Sequence, residues 1–190
     1  MDLPPTDRPQ NPFIAGIRGL RRLLVPTRPD RDGLTGALNR KRFFIDLQST
    51  LQTRKPFALV LADVDEFRKV NDAFGHELGN SVLRTLATAF ARRCAEFAVR
   101  GPYRDGGESF SFLVVRNVER AREFADALRA DVENLRFSDY PDCRITIRLA
   151  VATSPVDGID AGKLWDKVHH LVYSHPDERR RNQVITPAHE

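Results

Sequence analysis

Tyr103-Arg-Asp-Gly-Gly-Glu-Ser-Phe110 runs on into Ser111-Phe-Leu-Val-Val115. Two adjacent glycines, an acid and then an alternating apolar run predict a tight hairpin turn that feeds a strand. Glycine tolerates the left-handed backbone such a turn needs and lets the main chain approach a ligand closely. A carboxylate at the tip can hold a metal ion beside a phosphate. The same pattern also serves simply to join two strands, and these residues alone leave both readings open.

Upstream, Phe57-Ala-Leu-Val-Leu-Ala-Asp-Val64 is a near-continuous apolar run, the pattern of a strand buried on both faces. It delivers Asp63 and Asp65 at its carboxyl end. Two acids there are costly unless they cap, pair or bind a cation. Asp65 is placed to cap a following helix; Asp63 then needs another partner, and a hard cation such as Mg2+ suits it. Before the strand, Asn39 is expected to cap a helix reaching Thr53, with Phe43, Phe44, Leu47 and Leu51 on one face. After it, helix is predicted from about Ser81, a strand over Phe97–Tyr103, the partner strand over Ser109–Val115 and helix over Glu119–Leu135. A strand over Ile145–Thr153, a helix over Ala161–Tyr173 and an edge strand over Gln183–Ile185 complete the reading. This order implies an α/β (α+β) domain, a mixed, mostly antiparallel sheet covered by helices, with the hairpin beside the acidic strand end.

Composition narrows the classes of function. Lys and Arg total 30 against 26 Asp and Glu, a balanced surface that gives no reason to expect nucleic acid. Cys94 and Cys143 lie in separate periodic apolar segments and read as buried free thiols of a reducing, cytoplasmic setting. No apolar run reaches membrane-spanning length, and the first residues do not form a signal peptide. Residues 1–30 read as a tail carrying a short basic amphipathic helix over Asn11–Val25. Phe13, Ile14, Ile17, Leu20 and Leu24 form its stripe, suited to packing on the domain or a dimer mate rather than to a membrane surface. The domain proper is read as 31–186, followed by a tail over 187–190.

Four motifs in order now resemble one family. Asp32-x-Leu-Thr-Gly-x-x-Asn-Arg40, Asp63-Val-Asp-x-Phe-Arg-x-Val-Asn-Asp72, Gly75-His-x-x-Gly79 and Gly106-Gly-Glu-Ser-Phe110 resemble the GGDEF domains of diguanylate cyclases. The resemblance implies a palm-like fold shared with nucleotide cyclases and polymerases. It implies condensation of two GTP molecules to cyclic di-GMP by a homodimer, with Mg2+ or Mn2+ as cofactor. Such chemistry uses two metal ions to activate the 3′-hydroxyl and neutralise developing charge.

Carried over residue by residue, the resemblance gives Asp63, the Val64 carbonyl and Glu108 as metal ligands, with Asp63 and Glu108 as the catalytic remnant. Gly106 and Gly107 keep the turn. Ser109 replaces the second signature acid, and a neutral hydroxyl weakens a two-metal site. Arg68 replaces a phosphate-contacting Lys, keeping charge but changing shape. Pro176 stands where a second phosphate Lys is expected, with Arg180 or Arg181 left to supply the neighbouring Arg. Asn71 matches the guanine-contacting Asn. The inhibitory product motif Arg-x-x-Asp is replaced by Phe97 and Arg100 in its register, with Arg93-x-x-Glu96 nearby. Arg148 and Ala150 put bulk where the family is small. His76 is read as a structural turn residue, His169 and His170 as packing or surface residues.

Three readings follow. One is a degenerate, inactive domain that acts as a regulatory or protein-interaction module in cyclic di-GMP signalling. Its partners would be an HD-GYP or EAL phosphodiesterase, a PilZ protein or another GGDEF protein. The second is a GTP-binding sensor, and the third a cyclase that still works on weakly held Mg2+ or Mn2+. Asn80 generates a test of the nucleotide pocket, since it stands where the family has Asp. A carboxylate accepts from both guanine N1–H and the 2-amino group, whereas an amide offers one acceptor and one donor and suits adenine better. Calorimetric titration with GTP and ATP is expected to show no strong preference for GTP; clear GTP selectivity would overturn this reading of Asn80.

Overall fold

The computed structural model describes residues 29–174 and 181–188. The expected N-terminal helix, Pro176 and Arg180 lie outside them. Among the described residues six strands form one sheet in the order β1-β3-β4-β2-β5-β6. The elements run β1 (Leu38–Asn39), α1 (Arg40–Gln52), β2 (Phe57–Val64), α2 (Phe67–Phe74), α3 (His76–Phe97), β3 (Arg100–Gly106) and β4 (Ser109–Val114). A 3-10 turn (Val118–Arg120) leads into α4 (Ala121–Glu133), followed by β5 (Ile147–Ser154), α5 (Ala161–Tyr173) and β6 (Val184–Ile185). The central pairings β3–β4, β4–β2 and β2–β5 are antiparallel, and the outer pairs β1–β3 and β5–β6 are parallel. The mixed, mostly antiparallel sheet is thus the expected one.

Every residue of β2 is buried because helices cover both faces of the sheet. Ala58, Val60, Ala62 and Val64 point into a core built with α3 and α4. Phe57, Leu59 and Leu61 point the other way, against α1 and α5. Strand alternation therefore places Asp63 on the α1/α5 face, at the rim of that second core. The apolar run earned its buried position with antiparallel neighbours on both sides, not the parallel ones such runs often have.

Three boundaries differ from the sequence reading. Helix α3 begins at His76 rather than near Ser81, because Gly75 (φ 85°) makes the break by itself. Gly79 then falls inside the helix, where a Cβ would lie 2.0 Å from Asn71 Oδ1, so the bare glycine is what lets α2 pack there. Phe97 ends α3 instead of starting a strand; its ring packs on Phe124 at 5.6 Å, and Ala98 (φ 54°) turns the chain. Asp65 caps no helix. The residue before α2 is Glu66, which makes no side-chain cap, while Asp65 turns to β5.

That turn gives Asp65 a buried ion pair. Arg148 Nε donates to it at 2.9 Å, Thr146 Oγ1 at 2.7 Å and the Asn182 backbone N–H at 2.9 Å. Arg148, bulky where the family is small, is therefore the counterion of the second strand-end acid. Ala150 is simply core. Both cysteines are buried and unpaired, and no helix among the described residues is long and apolar enough to cross a membrane. Removing one partner of a buried pair leaves the other charge stranded. Arg148→Ala is expected to lower the unfolding free energy by about 3 kcal/mol in urea titrations, and a loss under about 1 kcal/mol would show that the hydroxyl and amide donors suffice.

Candidate functional site

The β2–β4 register sets Ser109, not Glu108, directly opposite Asp63. Glu108 sits in the turn itself, one residue short of the pairing. Ser109 Oγ donates to Asp63 Oδ1 at 2.8 Å, and so does the hydroxyl of Tyr173, from the last residue of α5, also at 2.8 Å. The two hydroxyl oxygens are 2.7 Å apart. Asp63 is 5% exposed. Burial pushes its carboxyl above the ordinary range; Tyr173, Ser109 and Arg148 pull the other way, and the Asp65 charge adds to the rise. Two hydroxyls carry two hydrogens, and with both directed at Asp63 Oδ1 the 2.7 Å contact between Ser109 and Tyr173 has no hydrogen of its own.

The glycine turn is fixed by backbone conformation. Gly106 (φ 125°) and Gly107 (φ 52°) both need the left-handed region, although a Cβ on either would meet nothing within 4 Å. An arginine that sequence reasoning passed over holds the turn in place. Arg104 Nε donates to the Gly107 carbonyl at 3.1 Å, and its Nη1 donates to Asp32 Oδ1 at 3.0 Å. The Arg104 side chain is 9% exposed. Asp32 also accepts from the backbone N–H and hydroxyl of Thr35 at 2.9 and 2.6 Å. The Asp32-x-Leu-Thr-Gly lead-in is thereby tied to the turn. Burial raises the Glu108 carboxyl, as does the Asp63 charge, so the two acids feel each other; its own backbone N–H and Arg104 oppose the rise.

The other candidate residues spread around this centre. Asn71 packs over Gly79, and Asn80 follows it in the first turns of α3. Arg68 is exposed on α2 and pairs with Asp72 at 3.7 Å. Arg181 Nη2 pairs with Glu66 at 2.6 Å, beside the strand end. Arg93 is committed elsewhere, donating to Asp131 through Nε and Nη2 and to Glu96 through Nη1, each at 2.7 Å. It is a helix-to-helix clamp between α3 and α4. His169 stacks between Trp165 and Tyr173, at 6.0 and 4.3 Å.

The donors at this strand end fit one hard cation by type: the Asp63 and Glu108 carboxylates and the Val64 carbonyl, all oxygen. They do not fit two, because the residue facing Asp63 is neutral and Asp65 is bound to Arg148. Among the described residues no three His, Cys, Asp or Glu side chains gather as a metal cluster.

A mixed sheet with an acid-tipped glycine hairpin beside an acidic strand end defines the class of fold and site. The family described as "Diguanylate cyclase, GGDEF domain" matches residues 30–182, and the chain belongs to it. It is 36% identical over 165 residues to the response regulator PleD of Caulobacter vibrioides, covering 83% of this chain and 36% of that protein. It is 33% identical over 162 residues to the diguanylate cyclase DgcM of Escherichia coli, covering 81% of this chain and 37% of DgcM. The chain thus spans little more than a third of these relatives. The fold is that of the GGDEF domain of YfiN (TpbB) from Pseudomonas aeruginosa, with a TM-score of 0.74 at 23% identity over 82% of this chain and 99% of that one. The diguanylate cyclase SiaD of Pseudomonas aeruginosa, in complex with its activator SiaC, superposes with a TM-score of 0.75 at 22% identity over 92% of this chain and 68% of SiaD.

Below the hydroxyl cluster lies a pocket of about 150 Å³ lined by Arg40, Asp105, Ser109, Trp165, His169 and Tyr173, among others. Asp105 accepts from Ser111 Oγ, while its buried Oδ1 has no partner among the described residues. Burial pushes its carboxyl up to about 7, against the Ser111 bond and the Arg40 charge. The folded state therefore holds this proton more tightly than the unfolded chain. That contribution to stability is full below about pH 4 and is lost as pH rises through about 7. Asp105→Asn is expected to remove a loss of about 4 kcal/mol between pH 4 and pH 8, read as a flatter pH profile of the urea midpoint; parallel profiles for both proteins would refute it.

Proposed function

We propose that this GGDEF domain does not make cyclic di-GMP and serves cyclic di-GMP signalling as a regulatory, partner-binding module. The observation that carries this is the pairing of Asp63 with Ser109 and Tyr173. Where an acid faces Asp63, two carboxylates meet across the β2–β4 pair and need cations between them. Here the facing residue donates a hydrogen bond, so the pair is satisfied within the protein. A single cation at Asp63, Val64 and Glu108 would still polarise a phosphate when bound. Condensation needs the attacking and leaving oxygens stabilised together, and one side of that arrangement has become a hydroxyl. Arg68, exposed and paired with Asp72, supports the same reading for the triphosphate grip.

A second reading, nucleotide binding without turnover, is favoured by the room that Gly79 leaves for Asn71. The close packing of Asn71 on Gly79 is intact, while Asn80 beside it replaces the family's Asp and the reacting end is altered. The partner would be another protein of cyclic di-GMP signalling: a phosphodiesterase of the EAL or HD-GYP type, a PilZ protein or a second GGDEF domain. That SiaD is held by an activator protein supports a GGDEF-containing protein as a docking platform.

Incubation with GTP and Mn2+ or Mg2+, followed by chromatography of the nucleotides, tests the proposal. No cyclic di-GMP above the protein-free blank is expected. Product that disappears in Asp63→Ala would overturn it.

A further inference from the structure

We propose that Tyr173 competes with a divalent cation for Asp63, so that the hydroxyl clamp and the cation exclude one another. The inference rests on Asp63 being the cation site of the reading above. Asp63 Oδ1 already accepts two hydrogen bonds at 2.8 Å, from Ser109 and Tyr173. A carboxylate oxygen with two inward hydroxyl hydrogens presents positive charge where a cation must approach. Buried as it is, Asp63 needs such compensation whenever no cation is present.

The two hydroxyls are not equivalent. Ser109 is fixed on β4 by its register with Asp63 and can rotate its hydrogen away, leaving a lone pair toward the cation. Tyr173 reaches the same oxygen from the end of α5, its ring lying on His169 at 4.3 Å and the residue 39% exposed. Its phenol swings out toward solvent by side-chain rotation at a helix end, without moving the sheet. Tyr173 is therefore the exchangeable half of the clamp, and Ser109 the fixed half. Glu108, next to Ser109 in the turn, is the second carboxylate that such a cation would draw on. Tyr173 thus acts as a positioning residue: it sets the occupancy of the acid rather than touching substrate.

Mn2+ titration followed by the paramagnetic signal of the free ion tests this without reference to catalysis. Tyr173→Phe keeps the ring on His169 and removes only the hydroxyl. It is expected to tighten Mn2+ binding roughly tenfold, the worth of one hydrogen bond to a charged group. The gain should vanish in Tyr173→Phe combined with Asp63→Asn. Equal affinities in wild type and Tyr173→Phe, including no binding by either, overturn the inference, as does a gain that survives Asp63→Asn. The product assay decides separately. A wild type that makes cyclic di-GMP and yet gains Mn2+ affinity in Tyr173→Phe sinks the proposed function and keeps the clamp. An inactive wild type with unchanged affinity does the reverse.

Discussion

Burying two carboxylates at the end of one strand is the constraint around which this domain is built. A carboxylate removed from water must gain hydrogen bonds or a counterion. The protein meets that demand in two ways, two residues apart. Asp65 receives a guanidinium, a hydroxyl and a backbone amide, and becomes part of the framework joining β2 to β5 and to the segment leading into β6. Asp63 receives two hydroxyls and, among the described residues, no direct hydrogen bond from a cationic side chain. The first solution is rigid and charge-balanced. The second leaves a carboxylate held by hydroxyl dipoles, with Arg148 acting on it only through space, which is the kind of group a cation still finds attractive.

The hairpin extends the same logic to the turn. β3 and β4 carry Asp105, Ser111 and Ser109 on the α1/α5 side, so a polar strip runs between an otherwise apolar sheet face and α5. Each acid of this strip meets a serine hydroxyl, Asp105 through Ser111 and Asp63 through Ser109. Hydroxyls are small enough to sit inside a packed sheet and can give or take a hydrogen bond. They give each acid of the strip a hydrogen-bond partner inside the packed sheet.

The fold was legible where the chain follows local rules. The buried run of β2, the Asn39 cap and the helical stripe of α5 read directly from residue order. The boundaries around Gly75 and Phe97 did not. Whether Phe97 belongs to a helix or a strand depends on Phe124, which reaches it only through the tertiary fold. In the site, the acids and glycines were visible as types at the right spacing. Their partners were not: Tyr173 lies 110 residues from Asp63, Arg148 lies 83 from Asp65 and Arg104 lies 72 from Asp32. Pairing at such separation is set by sheet register and helix placement, which sequence pattern alone does not specify. An arginine two residues before the paired glycines was the one local signal that could have been followed.

That arginine has a consequence for the turn as an electrostatic object. A trans peptide is planar, and its carbonyl and amide point in opposite directions. Arg104 draws the Gly107 carbonyl to itself, so the amide of the next residue is aimed away from Arg104. The turn therefore carries an oriented dipole, its carbonyl end held by a buried guanidinium and its amide end facing the other way. An anion that meets this hairpin is attracted to the amide end and kept from the carbonyl end.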